Sequence, residues 1–570
     1  MASRSWTVLT RRRPTLGVEA LILLASLAFA ALYNNALWKL LFGDADFRDL
    51  HTVLLFAALF GIVVLVQFSG LALLLTRRTA RPVLAILFIA TAFASYYMDR
   101  YTVFLNQEML RNVLATDPAE AGELLTPTLF LHLLLYALLP VLVLVWVRVA
   151  PRTSGFGAWR RSVLVRLATV AGAMLLAAVL LFTQYQAELS LLRPHREARH
   201  LVTPTNYLAA LYKLARNEAS DPEGPRVPIG LDARRVVAPG QEKKPVLLVL
   251  VVGESVRSAN FGLSGYARHT TPELRKLDVL VYPRVESCGT STEVSVPCMF
   301  SPLGRRNYDA DRVEHEQSLL NLLDRTGYPT VWIDNQSGCK GVCSGLPEVR
   351  IPGDADPALC NGERCLDGIL ESQLANVVKE RKGDLVVVLH MLGNHGPAYW
   401  RRYPPAFRRF TPDCETLEVS ECSSTEITNA YDNAILYTDH VLAGLIRFLG
   451  TLDGRDTALL YVSDHGESLG ESGIYLHGLP RSIAPAVQHQ VPMVAWLSPG
   501  FERSSRLDEQ CLERGTSAEL SHDNLFSSVL GLLQVDTKLR DPALDIFSRC
   551  RTLPASRAAQ SPATGQPHDS

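Results

Sequence analysis

Apolar positions along this chain fall into two regimes. Up to about residue 185 they come as long unbroken runs, and beyond it as short runs separated by polar, helix-patterned stretches. Thr52 to Leu75 holds twenty-four residues without a charge, enough to cross a hydrocarbon core of about 30 Å as a helix. Four further runs, Gly17 to Phe42, Val83 to Met98, Leu129 to Val147 and Val163 to Phe182, are shorter or carry a stray charge such as Glu19, Lys39 or Arg166. They fit tilted or packed helices, so residues 1–185 are expected to form a membrane α-helical domain of five transmembrane helices. Residues 186–244 read as a connector, charged and helix-prone and then rich in Pro and Gly through Asp221-Pro222-Glu223-Gly224-Pro225.

From 245 to 550 the pattern alternates. Val246–Val252, Val279–Val285, Thr330–Asp334, Leu385–Met391, Leu459–Ser463 and Val491–Leu497 read as buried strands, and amphipathic helices fall between most of them, notably Glu316–Arg325, Leu366–Arg381 and Glu426–Leu449. This alternation predicts an α/β sandwich on a largely parallel sheet, whose ligands gather at the carboxyl ends of the strands. The tail 551–570, rich in Ala, Ser, Pro and Gln, is expected to be disordered.

Charge sets the orientation. Arg11 to Arg13, then Arg77, Arg78 and Arg81, then Arg148, Arg152, Arg160 and Arg161 occupy alternate flanks of the spans, while Asp44, Asp46, Asp49 and the acid-rich 99–126 segment occupy the others. The amino terminus is then inside, and five crossings leave the C-terminal domain outside. A cleaved signal peptide ending near Ala28-Phe29-Ala30 is the alternative for the first run and leaves the later topology unchanged. All ten cysteines lie after position 287, which independently asks for an oxidising compartment. Three spacings are local, Cys339 with Cys343, Cys360 with Cys365 and Cys414 with Cys422; Cys288 and Cys298 can close a small loop, and elimination leaves Cys511 and Cys550 over, with their pairing open. A zinc ribbon would need CxxC pairs, and none occurs. The net charge of -1 gives no sign of a nucleic-acid partner.

Chemistry-bearing residues come directly after the expected strands. Gly253-Glu254-Ser255, Gly393-Asn394-His395-Gly396 and Asp464-His465-Gly466-Glu467 each trail one of them, and Thr292 sits near the centre of the Cys288 to Cys298 loop. Glu254, Asp464 and His465 offer oxygen and nitrogen ligands suited to zinc, with a deprotonated Thr292 completing a tetrahedron. Any single His or Asp here is more often a capping or core hydrogen-bond partner, but their coincidence at strand ends is hard to obtain by accident. A threonine hydroxyl is a poor nucleophile at neutral pH and needs a metal, which also polarises phosphoryl oxygens; the parts therefore describe phosphoryl transfer through a covalent phosphothreonine. His395 and His477 are placed to bind the transferred group or protonate a leaving oxygen. Asn112, Thr116 and Glu120, spaced by four, would share one face of a helix, which without other information is only a solvated face.

The segments VVGESVRSANFGLSGY, CGTSTEVSVPCMFS, DNQSGCKGVC, NHGPAYW, SDHGESLGE and YLHG resemble, in order, those of the lipid A phosphoethanolamine transferases, the family that includes the mobile colistin-resistance enzymes. The resemblance spans nearly the whole chain. It implies an alkaline-phosphatase-like (sulfatase-type) domain in the periplasm, held at the bacterial inner membrane, with Thr292 as phosphoethanolamine acceptor and Glu254, Thr292, Asp464 and His465 on the catalytic zinc. It further implies that His395 and His477 lie near the substrate or a second zinc, and that Ser337, Lys340, Asn112, Thr116 and Glu120 contact substrate. One position departs from the pattern: Ala115 stands where relatives carry glutamate, off the proposed face.

The expected reaction moves phosphoethanolamine from phosphatidylethanolamine to a phosphate of lipid A, weakening polymyxin binding by adding an amine to an anionic surface. The expected enzyme is a monomer with one zinc site and a second left open. Rival readings keep the chemistry but move it to a lipopolysaccharide core sugar or a periplasmic glucan, or transfer phosphoglycerol. A sulfatase is disfavoured because Thr292 is followed by Glu293-Val294-Ser295-Val296 rather than x-Pro-x-Arg. A non-enzymatic membrane sensor would share the topology but would not need Thr292.

Overall fold

A computed structural model describes residues 13–116, 118–150, 156–219, 225–236 and 244–552. Arg11, Arg12, Arg152, the 221–224 part of the connector and the tail from 553 onward lie outside these residues. Residues 1–114 and 125–221 form one compact unit, and residues 115–124 and 222–570 the other.

In the first unit, helices α1 (Val18–Leu32), α2 (Asn35–Phe42), α3 (Leu50–Leu74), α4 (Ala80–Tyr101), α5 (Gln107–Ala115), α7 (Pro127–Trp146) and α8 (Phe156–Thr183) follow in chain order, with α6 (Pro118–Glu123) assigned to the other unit. Leu50–Leu74, Ala80–Tyr101, Pro127–Trp146 and Arg160–Thr183 are long and apolar enough to cross a membrane, and α1 with α2 makes a fifth span if the pair counts as one. Two of the stray charges meet: Arg166 Nε lies 3.2 Å from Glu19 Oε1, and its Nη1 donates to Leu75 O at 2.7 Å.

Two sequence expectations need correction here. The run Gly17 to Phe42 is not one straight helix but a pair bent by 53°. Asn34 sits at the break, its amide donating to Phe29 O (2.7 Å) and Thr203 O (3.0 Å) and its Oδ1 accepting from Thr203 N–H (2.8 Å), so the side chain meets obligations that an apolar span cannot. Nor do Asn112, Thr116 and Glu120 share one helix. α5 stops at Ala115 and α6 starts afresh at Pro118, because a proline disfavours helical backbone in the residue before it and suits the first helical position.

The second unit is built on an eight-stranded sheet. Its strands in chain order are β1 (Val246–Gly253), β2 (Leu280–Glu286), β3 (Thr330–Asp334), β4 (Glu348–Arg350), β5 (Leu385–His390), β6 (Asp456–Ser463), β7 (Gln490–Leu497) and β8 (Leu520–Ser521), and across the sheet they run β8-β2-β7-β6-β1-β5-β3-β4. All neighbours are parallel except β7, which is antiparallel to both β2 and β6. β4 and β8, three and two residues long, are too short to leave a periodic signal in the sequence. β5 and β6 are buried at every position and β1 at all but its first. Successive residues alternate faces, so burial at every position requires cover on both sides, and that is why β1 and β5 are runs of Val and Leu and the middle of β6, Ala458–Val462, is unbroken apolar rather than alternating.

Helices α9 (Thr292–Met299), α10 (Leu319–Arg325), α11 (Ile369–Glu380), α12 (Ser424–Gly450) and α13 (Asp523–Leu532) belong to this unit. α12 is the longest and starts at a capping box, in which Ser423 and Glu426 satisfy each other's backbone N–H groups. All ten cysteines are paired: Cys288–Cys298, Cys339–Cys343, Cys360–Cys365, Cys414–Cys422 and Cys511–Cys550. With Cys339 and Cys343 joined, their proximity to Glu348 makes no metal site.

Candidate active site

The carboxyl ends of β1, β5 and β6 lie side by side, with Val252 opposite His390 and Gly253 opposite Ser463. The loops that leave these strands must therefore converge. Glu254 leaves β1 and Asp464 and His465 leave β6, and each is 0% exposed. The turn after β1 is held by α12: Tyr431 Oη donates to Ser255 O (2.6 Å) and accepts from Arg257 N–H (3.0 Å), fixing Ser255 at φ 58°. Gly253 is required there, since a Cβ would come within 2.5 Å of the Tyr461 ring.

Thr292 opens α9, directly after the N-cap residue Ser291, so its hydroxyl sits at the positive end of a helix dipole. It donates to Glu254 Oε2 at 2.8 Å and lies 3.3 Å from His465 Nε2. His465 Nε2 is in turn 3.2 Å from Glu254 Oε1 and 3.3 Å from Asp464 Oδ2. His465 Nδ1 faces the Gly466 carbonyl at 2.9 Å, which keeps one proton there and leaves Nε2 as the ring nitrogen turned into the cluster. Asp464 Oδ1 accepts from the backbone N–H groups of Ser255 (3.1 Å) and His465 (2.7 Å), whereas its Oδ2 is buried with no hydrogen-bond partner.

Glu254, Asp464 and His465 each offer a ligand atom within 4.8 Å of the others. Two buried carboxylates, one imidazole with Nε2 turned inward and an adjacent hydroxyl are donors of the kind zinc takes, and the orphaned Asp464 oxygen is what a cation would satisfy. The residues fit a zinc ion. Electrostatics agree: burial and the neighbouring Glu254 push the Asp464 carboxyl up to about 6. Burial pushes the His465 imidazole down, but Asp464 and Glu254 outweigh it and hold the group up to about 10. Such a cluster demands positive charge.

The other expected residues are distributed around this centre. His395, just past β5, has Nε2 at 3.2 Å from Glu120 Oε1; burial lowers the imidazole and Glu120 raises it further than burial can lower it. Glu120 is itself held down at about 2, burial opposing and His395 prevailing. The His477 ring centroid lies 4.2 Å from that of His465 and 5.7 Å from that of His395. Lys340, 8% exposed on its side chain, has Nζ 3.7 Å from Glu293 Oε2, one residue past the nucleophile candidate. Ser337 hydrogen-bonds Gln336, whose amide donates to Glu254 Oε2 at 3.2 Å. Thr116 groups with the same unit as Glu120, whereas Asn112 belongs to the helical unit.

Three residues here were not anticipated. Gln336 touches the Glu254 carboxylate from inside a motif whose serine and lysine drew the attention. Glu467, fully buried, lies 3.3 Å from His477 Nδ1 and ends the Asp464-His465-Gly466-Glu467 run. His522, 2% exposed, accepts from Cys288 N–H through Nδ1 (3.1 Å) and lies 3.0 Å from Ser463 O through Nε2, pinning the threonine's loop to the end of β6. No local pattern marks His522, because both its partners are backbone groups far away in sequence.

A mostly parallel sheet with a metal-type cluster and a helix-capped threonine at its carboxyl edge, on a chain with apolar spanning helices, defines a membrane-tethered enzyme of the alkaline-phosphatase and sulfatase class. The sulfatase family model matches residues 247–535, and the phosphoethanolamine transferase EptA/EptB model matches residues 54–219. Phosphoethanolamine transferase EptA of Escherichia coli strain K12 is 37% identical over 546 residues, 95% of this chain and 98% of the relative. Phosphatidylethanolamine transferase Mcr-1 of Escherichia coli is 37% identical over 502 residues, 85% and 90% of the two chains. The solved structure of the integral membrane lipooligosaccharide phosphoethanolamine transferase A from Neisseria meningitidis matches with a TM-score of 0.89 at 34% identity, covering 94% of this chain and 100% of that one. The chain belongs to the EptA family of phosphoethanolamine transferases.

Proposed function

We propose that this chain transfers phosphoethanolamine from phosphatidylethanolamine to a phosphate of lipid A, at the periplasmic face of the bacterial inner membrane, through a phosphothreonine at Thr292. The observation that carries the reading is the Thr292 hydroxyl, within hydrogen-bond distance of both Glu254 and His465 at the start of α9. Zinc, when held by Glu254, Thr292, Asp464 and His465, stabilises the threonine alkoxide and polarises the phosphoryl oxygens.

Thr292 gives up its proton along the 2.8 Å bond to Glu254, and its oxygen attacks phosphorus. The bond from phosphorus to the glycerol oxygen breaks. His395 or His477 supplies the proton with which diacylglycerol departs as a neutral alcohol. The α9 dipole favours the negative phosphoryl group now on Thr292. A lipid A phosphate oxygen then attacks the same phosphorus, the phosphorus–Thr292 bond breaks, Thr292 takes its proton back from Glu254, and the histidine regains its own from the attacking phosphate group or from water. Every residue in this scheme comes from one chain. The product carries a new amine, so cationic peptides such as polymyxins bind it less well.

Mass spectrometry of lipid A from cells making the native chain or Thr292→Ala tests the reading. A phosphoethanolamine increment is expected with the native chain alone. Full transfer by inserted, metal-loaded Thr292→Ala would end the mechanism, and no increment from either chain would point to core sugars or glucans as acceptors.

A further inference from the structure

The segment 115–124 lies in chain order between two helices apolar enough to span a membrane, α4 and α7, yet groups with the catalytic unit. α6 is six residues long, too short to hold a helical form on its own. Glu120 and Glu123 are three apart on it and therefore share a face. Glu120 meets His395 at 3.2 Å. Glu123 takes Arg402 as a fork: Nη1 to Oε1 at 3.2 Å and Nη2 to Oε2, with side-chain exposures of 2% for Arg402 and 8% for Glu123. The remaining edge of the same guanidinium, Nε, donates to the backbone carbonyl of His395 at 2.7 Å.

These contacts close a ring. From Glu120 it passes to the His395 imidazole, through the His395 carbonyl to Arg402, on to Glu123 and back along one turn of α6. One planar cation thus gauges the distance between the helix that carries Glu120 and the backbone that carries its histidine. Lysine, a point charge, cannot serve both at once. Arg401, half-exposed and 3.9 Å from Glu123 Oε1, is too distant and too solvated to replace it.

We infer that Glu123 and Arg402 are positioning residues that seat α6 so that Glu120 meets His395, and that turnover of a donor drawn from the membrane depends on this pair while phosphoryl chemistry at Thr292 itself does not. The inference rests on the donor assigned above. Neither residue touches the reacting atoms; their effect passes through Glu120 and His395. A water-soluble diester with neither amine nor acyl chains requires only Thr292 and its metal cluster, and this separates positioning from simple loss of fold.

The test uses the full chain, zinc-loaded, in nanodiscs containing phosphatidylethanolamine, with Glu123→Gln, Arg402→Lys, the double variant and Glu123→Asp. Diacylglycerol release and hydrolysis of bis(p-nitrophenyl) phosphate are followed on the same preparations. Each of the first two variants is expected to lower kcat for diacylglycerol release about tenfold or more, with soluble-diester turnover within about threefold of wild type. The double variant is expected to be no worse than the worse single, since both remove one device, and Glu123→Asp to recover part of the loss. Parallel loss of both activities would make the pair merely structural and overturn the inference, as would variants equal to wild type. Wild-type protein that cleaves the soluble diester but releases no diacylglycerol would sink the donor assignment and the inference with it.

Discussion

His522 supplies a sharp test, because both its ring nitrogens are committed to backbone groups in the neutral form. Nδ1 accepts from Cys288 N–H, which puts the proton on Nε2, where it is donated to Ser463 O. Burial pushes the imidazole down to about 3 in the folded chain, against about 6.5 for an unfolded histidine. A group whose folded pKa is depressed in this way binds its proton in the unfolded chain first. Its contribution to stability is therefore intact above pH 6.5 and lost as pH falls from there toward 3. Each pH unit across that window costs about 1.4 kcal/mol, so the loss at pH 5 is about 2 kcal/mol and approaches about 5 kcal/mol near pH 3. Acid should thus loosen the Thr292 loop from β6 before the rest of the sheet gives way. Hydrogen–deuterium exchange of the full chain in nanodiscs, read on peptides covering Cys288–Met299 and corrected for intrinsic rates, should show opening become easier by about 2 kcal/mol between pH 7 and pH 5 in the native protein. His522→Asn keeps an acceptor for Cys288 N–H but has no imidazole to titrate. It should be less stable at pH 7, by about 1–3 kcal/mol for the lost partner of the Ser463 carbonyl, and nearly insensitive over the same range. Equal pH dependence in the two proteins would refute the reasoning.

Two more outcomes concern the metal cluster. Zinc uptake by metal-free protein at pH 7 should release at least one proton per ion, from His465, which is held protonated until a cation replaces the proton, and a second where Thr292 binds as the alkoxide; calorimetry in two buffers of different ionisation enthalpy measures it, and zero release would contradict the ligand assignment. Gly393→Ala should displace Glu254, since Gly393 has φ +53° and an added Cβ would lie 2.6 Å from the Glu254 carbonyl oxygen and 2.9 Å from its Cβ. Zinc content by elemental mass spectrometry should fall and turnover drop roughly a hundredfold, with the fold retained; unchanged zinc and activity would mean the turn is softer than its packing indicates.

What the sequence made legible was set by locality. Val246–Val252 and Leu385–Met391 announce themselves as buried strands by composition, and the acids and histidines trailing them announce an edge where ligands collect. Glu254, Asp464 and His465 were singled out in this way, and Thr292 by its place at the centre of the Cys288 to Cys298 loop. Gln336 and His522 were not, because a glutamine or histidine that supports a site through distant backbone or a ligand's second oxygen has no periodicity of its own. The reversal of β7 was equally hidden: a strand buried on both faces reads the same in either direction. Spacing misled at Asn112, Thr116 and Glu120, where a period of four was read through Pro118, although proline at that position ends one helix and begins another.

The polar hinge of the helical unit has a consequence in time. Asn34 is satisfied by Thr203, 169 residues later, and the Gln67 amide donates to the same Thr203 carbonyl at 2.7 Å across 136 residues. At about 5–20 residues per second, a ribosome needs roughly seven to twenty-seven seconds after completing residue 67 to deliver that partner. Through that interval the Asn34 side chain has only its bond to Phe29 O, and the Gln67 amide lacks the Thr203 carbonyl, in or near the bilayer. A truncation just short of residue 203 would leave these amides without the Thr203 backbone for good.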